Sequence, residues 1–156
     1  MRDADSVTEE GRIWRLLDAV ADPEIPVVSI LDLGVVRYVR RETDGRLHVG
    51  ITPTYLACPA TEAIRVAVRD TLDRAGYADA ALETVLSPPW SSEWLTEAGR
   101  RKLAAFGIAP PQPHAVSCPR CGSRATERVS EFGSTPCKAH YRCSACLEPF
   151  DAFKCI

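Results

Sequence analysis

Six of the seven cysteines lie between Cys118 and Cys155. Four of them form two C-x-x-C pairs, Cys118-Pro119-Arg120-Cys121 and Cys143-Ser144-Ala145-Cys146, with 21 residues between the pairs. Two intervening residues let both thiolates of a pair face one ion across a tight turn. Two such turns bring four sulfurs into a tetrahedron, the geometry of a structural zinc site. Gly122 gives the first turn the backbone freedom it needs. The same ligand set also suits an iron–sulfur cluster or a single iron. A redox C-x-x-C pair would normally stand alone at the start of a helix. The 39 residues from Cys118 onward are too few to bury an adequate core, because segments below ~40 residues usually rely on metal or disulfides.

Cys137 and Cys155 are left over, with two readings open. They are small buried hydrophobes beside the metal core, or a second thiol pair that holds metal transiently or forms a disulfide. With four cysteines at hand, His140 is expected at the surface and not as a ligand. The cysteine total is odd, and residues 1–10 are polar and acidic, without a basic stretch leading into an apolar one. A secreted disulfide framework is therefore not expected, and a cytoplasmic protein is.

Charge narrows the partners. The formal net charge is −2, and the segment 110–156 carries 6 basic against 4 acidic side chains, scattered along it. Phosphate neutralisation would be weak, so no nucleic-acid partner is expected. No apolar stretch approaches the ~20 residues of a membrane span, so no membrane partner is expected either.

The chain changes character near residue 110, where Pro110-Pro111-Gln112-Pro113-His114 favours a stiff linker. The expected organisation is an α+β domain over 1–109, a Pro-rich linker over 110–117 and a zinc-ribbon-like module over 118–156. The first part reads as α-β-β-α-β-α, a small three-stranded sheet packed with helices. Ser6 and Glu9 have capping-box spacing, followed by Ile13, Trp14, Leu17, Val20 and Ala21 at helical spacing, and Asp22-Pro23 stops that helix. Val35 to Arg41 reads as a strand. Asp44-Gly45 reads as a two-residue hairpin turn with positive φ at both positions, and Leu47, Val49 and Ile51 alternate on the returning strand. A helix follows Cys58-Pro59 to about Ala75, with Ala60, Ile64, Ala67, Val68, Thr71 and Leu72 on its apolar face and Gly76 after it. Leu82 to Ser87 reads as a third strand. Ser92 to Phe106 reads as a last helix with Leu95, Leu103 and Phe106 inward. Trp90 and Trp94, four apart, are expected to pack a core or cover a seam, or to anchor a partner.

Cys58 is the one cysteine outside the tail. Proline favours the first helical turn, so Cys58 falls at or beside a helix N-cap. There the free N–H groups favour a thiolate, which is both a nucleophile and a soft-metal ligand. The alternative is a half-buried cysteine that only packs. Asp22 and Glu24 bracket Pro23 and are either hard ligands or helix-stop chemistry. No histidine follows a glutamate by three, so the E-x-x-H ligands of a di-iron oxygenase are absent. There is no G-x-G, P-loop or G-x-S-x-G motif either.

Several runs together resemble known families. Asp22-Pro23-Glu24-Ile25-Pro26, Ile30-Leu31-Asp32-Leu33-Gly34-Val35-Val36 and Thr54 to Pro59 resemble the MIP18 (DUF59) domain. With the tail added, the chain resembles the PaaD (PaaJ) subunits of phenylacetate-CoA oxygenases over about residues 10–156. The tail runs that carry this are Ser130-Glu131-Phe132-Gly133-Ser134-Thr135, Cys137-Lys138, Tyr141-Arg142-Cys143, Glu148-Pro149-Phe150-Asp151 and Phe153-Lys154-Cys155. At Leu56-Ala57 the loop before Cys58 is more apolar than the resemblance leads one to expect.

The resemblance implies a role in aerobic phenylacetate catabolism, beside the oxygenase and reductase components of a phenylacetyl-CoA epoxidase. It implies assistance in iron–sulfur or metal-centre maturation, with Cys58 as the contact for a transient cluster, Asp22 and Glu24 as further transfer candidates, and Cys118, Cys121, Cys143 and Cys146 holding structural zinc. Competing readings are an integral non-catalytic subunit of the oxygenase, an enzyme using Cys58 as nucleophile, and a nucleic-acid-binding ribbon.

Overall fold

Thr8 opens the first helix by accepting a hydrogen bond from the Gly11 N–H at 3.1 Å. In this computed structural model, which describes residues 8–55 and 58–156, the helix α1 is Glu9–Asp18. Its cap is thus Thr8, not the expected Ser6, which lies outside the described residues, as do Leu56 and Ala57. Ile13 and Leu17 of α1 are fully buried, and Val20 packs inward just beyond it, whereas Ala21 is exposed.

The chain forms two compact units, one ending at Trp90 and one spanning Ser91–Ile156. In the first, strands β1 (Val36–Arg41) and β2 (Leu47–Ile51) form an antiparallel hairpin. Its connection departs from the expected two-residue turn. Glu42 and Arg46 are bonded, three residues lie between them, and only Gly45 has positive φ, at 79°. A three-residue loop with glycine in the left-handed position needs no such strain at Asp44. Helix α2 (Ala60–Arg74) then crosses over to β3 (Ala81–Thr84), which pairs in parallel with β2. The third strand is thus shorter and earlier than expected. A parallel neighbour needs such a crossover, and α2 supplies it.

Ala60, Ile64, Val68 and Leu72 of α2 are buried, and α1 packs against α2 and β1. Val39, Leu47, Val49 and Ile51 complete this core from the sheet. The segment between α1 and β1 contributes Ile25, Val28, Ile30, Leu33 and Val35. Buried Trp90 donates its indole N–H to the Leu33 carbonyl at 2.8 Å.

The second unit begins with a 3-10 turn at Ser92–Trp94, then α3 (Glu97–Phe106), capped by Thr96 and ended by Gly107 in the left-handed conformation. The expected single helix from Ser92 is therefore broken. Leu95 and Leu103 point inward as expected, but Phe106 is exposed. Strand β4 (Ile108–Ala109) pairs in parallel with β7 (Pro149–Phe153), and β5 (Thr126–Ser130), β6 (Lys138–Cys143) and β7 form an antiparallel meander in the order β4-β7-β6-β5. Ala109, Cys118, Cys143, Phe150 and Ala152 form its core, with Tyr141 stacked on Phe150 at 5.8 Å. The residues expected to close the first domain and to begin the linker thus belong to this unit. Pro111 is buried, and its carbonyl accepts from Arg100 at 3.0 Å. Among the described residues, no helix is long and apolar enough to cross a membrane.

Gly50 faces Tyr38 across the hairpin, and a Cβ at Gly50 would lie 2.5 Å from the Tyr38 ring. Gly50→Ala is expected to destabilise the first unit by about 1–3 kcal/mol. Equilibrium denaturation checks this, and Tyr38→Ala in the same chain should recover part of the loss.

Candidate functional site

Asp22 is 7 % exposed, yet it is not buried by accident of packing. Its Oδ1 accepts from the backbone N–H groups of Glu24 at 2.9 Å and Ile25 at 2.7 Å. Its own N–H donates to the Val28 carbonyl at 2.9 Å, and Ile30 N–H donates to Val20. These bonds turn the segment sharply where Pro23 forbids helix. Ser29 and Asp32 then exchange bonds, Ser29 N–H to Asp32 Oδ2 at 3.0 Å and Asp32 N–H to Ser29 Oγ at 3.1 Å. The Val35 carbonyl finally accepts from Thr52 N–H at 2.9 Å. The turn is thereby tied to the end of β2.

Beyond β2 the chain turns again. Cys58 N–H donates to Tyr55, and Thr61 N–H donates to the Cys58 carbonyl, both at 3.1 Å. Pro59 is the N-cap of α2, so half-buried Cys58 sits immediately before it, as the sequence predicts. The two turns meet at one cavity lined by Asp22, Thr52, Thr54, Cys58 and Thr61, with Val35 and Ile64 as apolar walls. It has room for about one water molecule. Asp22 and Cys58 are thus brought together, while Glu24 does not line the cavity. Sequence reasoning misses Thr52. It is 1 % exposed, and its hydroxyl is buried with no hydrogen-bond partner among the described residues. Its only sequence signal is its place at the end of an alternating strand.

In the second unit the sulfurs of Cys118, Cys121, Cys143 and Cys146 all lie within 4.8 Å of one another. Two of the separations are 3.7 Å, Cys118 to Cys146, and 3.6 Å, Cys121 to Cys143. A tetrahedron with metal–sulfur bonds of ~2.3 Å has edges of about 3.8 Å, so the set fits a single ion. The sulfurs cannot all be anionic without a cation. The Cys146 backbone N–H draws the Cys143 thiol down to about 7. Cys146 is pushed up to about 12: the Glu148 N–H pulls it down, but burial and the Cys121, Cys143 and Cys118 sulfurs outweigh that pull.

Each knuckle places the residue after its second cysteine in left-handed backbone, Gly122 at φ 76° and Leu147 at φ 64°. Sequence reasoning misses Leu147 too, although its place matches that of Gly122. It is exposed and carries a steric cost that glycine would not.

Cys137 and Cys155 do not join the cluster. Cys137 is buried, with its Sγ 3.0 Å from the Thr135 hydroxyl, and Cys155 is exposed. His140 is likewise outside the cluster. Its Nδ1 lies 3.1 Å from Asp151 Oδ1, and Asp151 Oδ2 accepts from the Ser134 N–H and hydroxyl. A Cβ at Gly133 would come within 2.7 Å of that carboxylate, which accounts for the glycine in the 130–135 run.

Residues 109–154 match the family described as the PaaD zinc beta ribbon domain. Residues 10–81 match the family described as iron–sulfur cluster assembly protein. A protein of Escherichia coli (strain K12), named provisionally as one of the subunits of 1,2-phenylacetyl-CoA epoxidase, is 47 % identical over 152 residues, covering 92 % of each chain. An Fe-S protein maturation auxiliary factor of Porphyromonas gingivalis is 34 % identical over 97 residues, 62 % of this chain and 90 % of that protein. The crystal structure of a DUF59 domain from Bacillus anthracis superposes with a TM-score of 0.54 at 28 % identity, covering 60 % of this chain and 90 % of that one.

Chelation is expected to dissolve the β5–β7 sheet while β1 and β2 persist, because structural zinc supplies on the order of 10 kcal/mol in small modules. Amide exchange with and without chelator reads this directly. Leu147→Gly should stabilise the second unit by about 1 kcal/mol by removing the left-handed penalty. Thermal unfolding of the metal-loaded chain measures it.

Proposed function

The chain belongs to the PaaD family, and from that premise we propose that it is an accessory protein of a phenylacetyl-CoA epoxidase system that helps the oxygenase or reductase acquire its iron–sulfur or other metal centres. The observation that carries this reading is the meeting of Cys58 and Asp22 in one cavity of the segment that matches iron–sulfur assembly proteins. A thiolate can accept and release soft or borderline metal, and a buried carboxylate beside it offers a second donor. Cys58 is the transfer point in this reading, Asp22 its partner, and Glu24 serves through its backbone, by holding the turn that orients Asp22. The aerobic phenylacetate pathway and a cytoplasmic location go with it. The four tail cysteines hold zinc as a structural ion, which folds the ribbon without taking part in transfer.

A second reading has a specific observation behind it. The near-full-length relative is named as a subunit, which favours a stable, non-catalytic member of the oxygenase complex.

One experiment separates the two. Oxygenase and reductase are matured in cells containing this protein, purified, and assayed without it. Full turnover is expected, and components from cells carrying Cys58→Ser should be depleted in iron or sulfide. Turnover that collapses without the protein, and returns at once when it is added, establishes the subunit reading instead.

A further inference from the structure

We propose that the Cys58 cavity takes a single divalent transition-metal ion, and not a preformed cluster, held by the Cys58 thiolate, the Asp22 carboxylate and the Thr52 hydroxyl. This rests on the maturation reading and narrows its cargo. Three observations point the same way. First, Thr52 lines the cavity, and its hydroxyl is buried and unpartnered among the described residues. An unsatisfied buried hydroxyl costs free energy unless a ligand or a bound water engages it. Second, the Asp22 turn uses only Oδ1, so the carboxylate's other oxygen is not needed to hold the loop. Third, the described lining leaves space within the cavity for about one water-sized body, which matches one ion.

Charge agrees with size. The ionisable groups on the cavity wall are a carboxylate and a thiol, and no basic side chain is among its described lining. Binding one M²⁺ releases the Cys58 proton to solvent, and the ion then offsets the thiolate and the carboxylate together. One sulfur with two oxygens, one anionic and one neutral, suits a borderline first-row ion such as Fe²⁺ or Co²⁺ better than a purely thiolate-bound cluster. Such a mixed set also binds more weakly than four thiolates, as delivery requires. On this assignment the protein supplies iron to an assembly step in which a separate donor brings sulfide.

The test titrates Co²⁺, then Fe²⁺ anaerobically, into the full chain with its four-cysteine site already filled with zinc. Cys58→Ser gives the background from the tail. The expected result is one further ion per chain, with a thiolate-to-cobalt charge-transfer band that vanishes in Cys58→Ser. Thr52→Val should weaken binding about 10–100-fold, with recovery in Thr52→Ser. Asp22→Asn keeps the turn's acceptor oxygen and removes the charge, and should weaken binding at least as much. Wild-type affinity in Thr52→Val, with the fold intact by circular dichroism, overturns the assignment. So does reconstitution in which Cys58 takes up iron only together with stoichiometric acid-labile sulfide. Neither result touches the maturation reading, which stands or falls on iron and sulfide content in components matured with Cys58→Ser.

Discussion

A single carboxylate oxygen does much to decide the geometry of the first unit. Oδ1 of Asp22 accepts two backbone N–H groups and so fixes where the chain turns after α1. That turn sends Ile25, Val28 and Ile30 into the core and brings Val35 to the end of β2, where its carbonyl meets Thr52. The residues that line the cavity are therefore set by a backbone hydrogen-bond pattern, and the side chain that creates the pattern is itself one of the walls. The side chain that fixes the turn and the side chain that lines the cavity are thus one residue.

The parts legible in the sequence are those with a local cause. Helix α2 begins after Cys58-Pro59 and ends at Arg74, just before left-handed Gly76, because proline and glycine punctuate it. Within each C-x-x-C pair the spacing aims both thiolates to one side, and the β5–β7 sheet brings the two pairs together. The parts hidden from a sequence reading have non-local causes. Ile108–Ala109 reads as the end of a helical domain, and only its pairing with Asp151 and Ala152 places it in the tail sheet. Helix α3 starts at Glu97 because Thr96 caps it, a choice that the apolar spacing from Ser92 conceals. Phe106 has helical spacing but stays exposed, since α3 ends there and nothing in its own unit covers it.

For the site itself, Cys58 and Asp22 could each be singled out by residue type, but their meeting required both turns. Thr52 could not be singled out, because a threonine at a strand end is ordinary until its hydroxyl is seen to be buried without a partner among the described residues. Glu24 shows the converse. Its place in the sequence motif draws attention to its carboxylate, while the structure uses its backbone N–H.

The pairing of β4 with β7 has a consequence for how the tail assembles. On its own, that pairing must close a loop running from Ile108 to Asp151. An ion bound to Cys118 and Cys146 short-circuits most of that path, since both cysteines lie inside it. The chain still to be ordered shrinks roughly threefold, which lowers the loop-closure entropy by about 1 kcal/mol. The inner cross-link thus makes the outer strand easier to dock. The docking of β4, and of the α3 segment that leads into it, is therefore coupled thermodynamically to ion binding at the cysteine cluster.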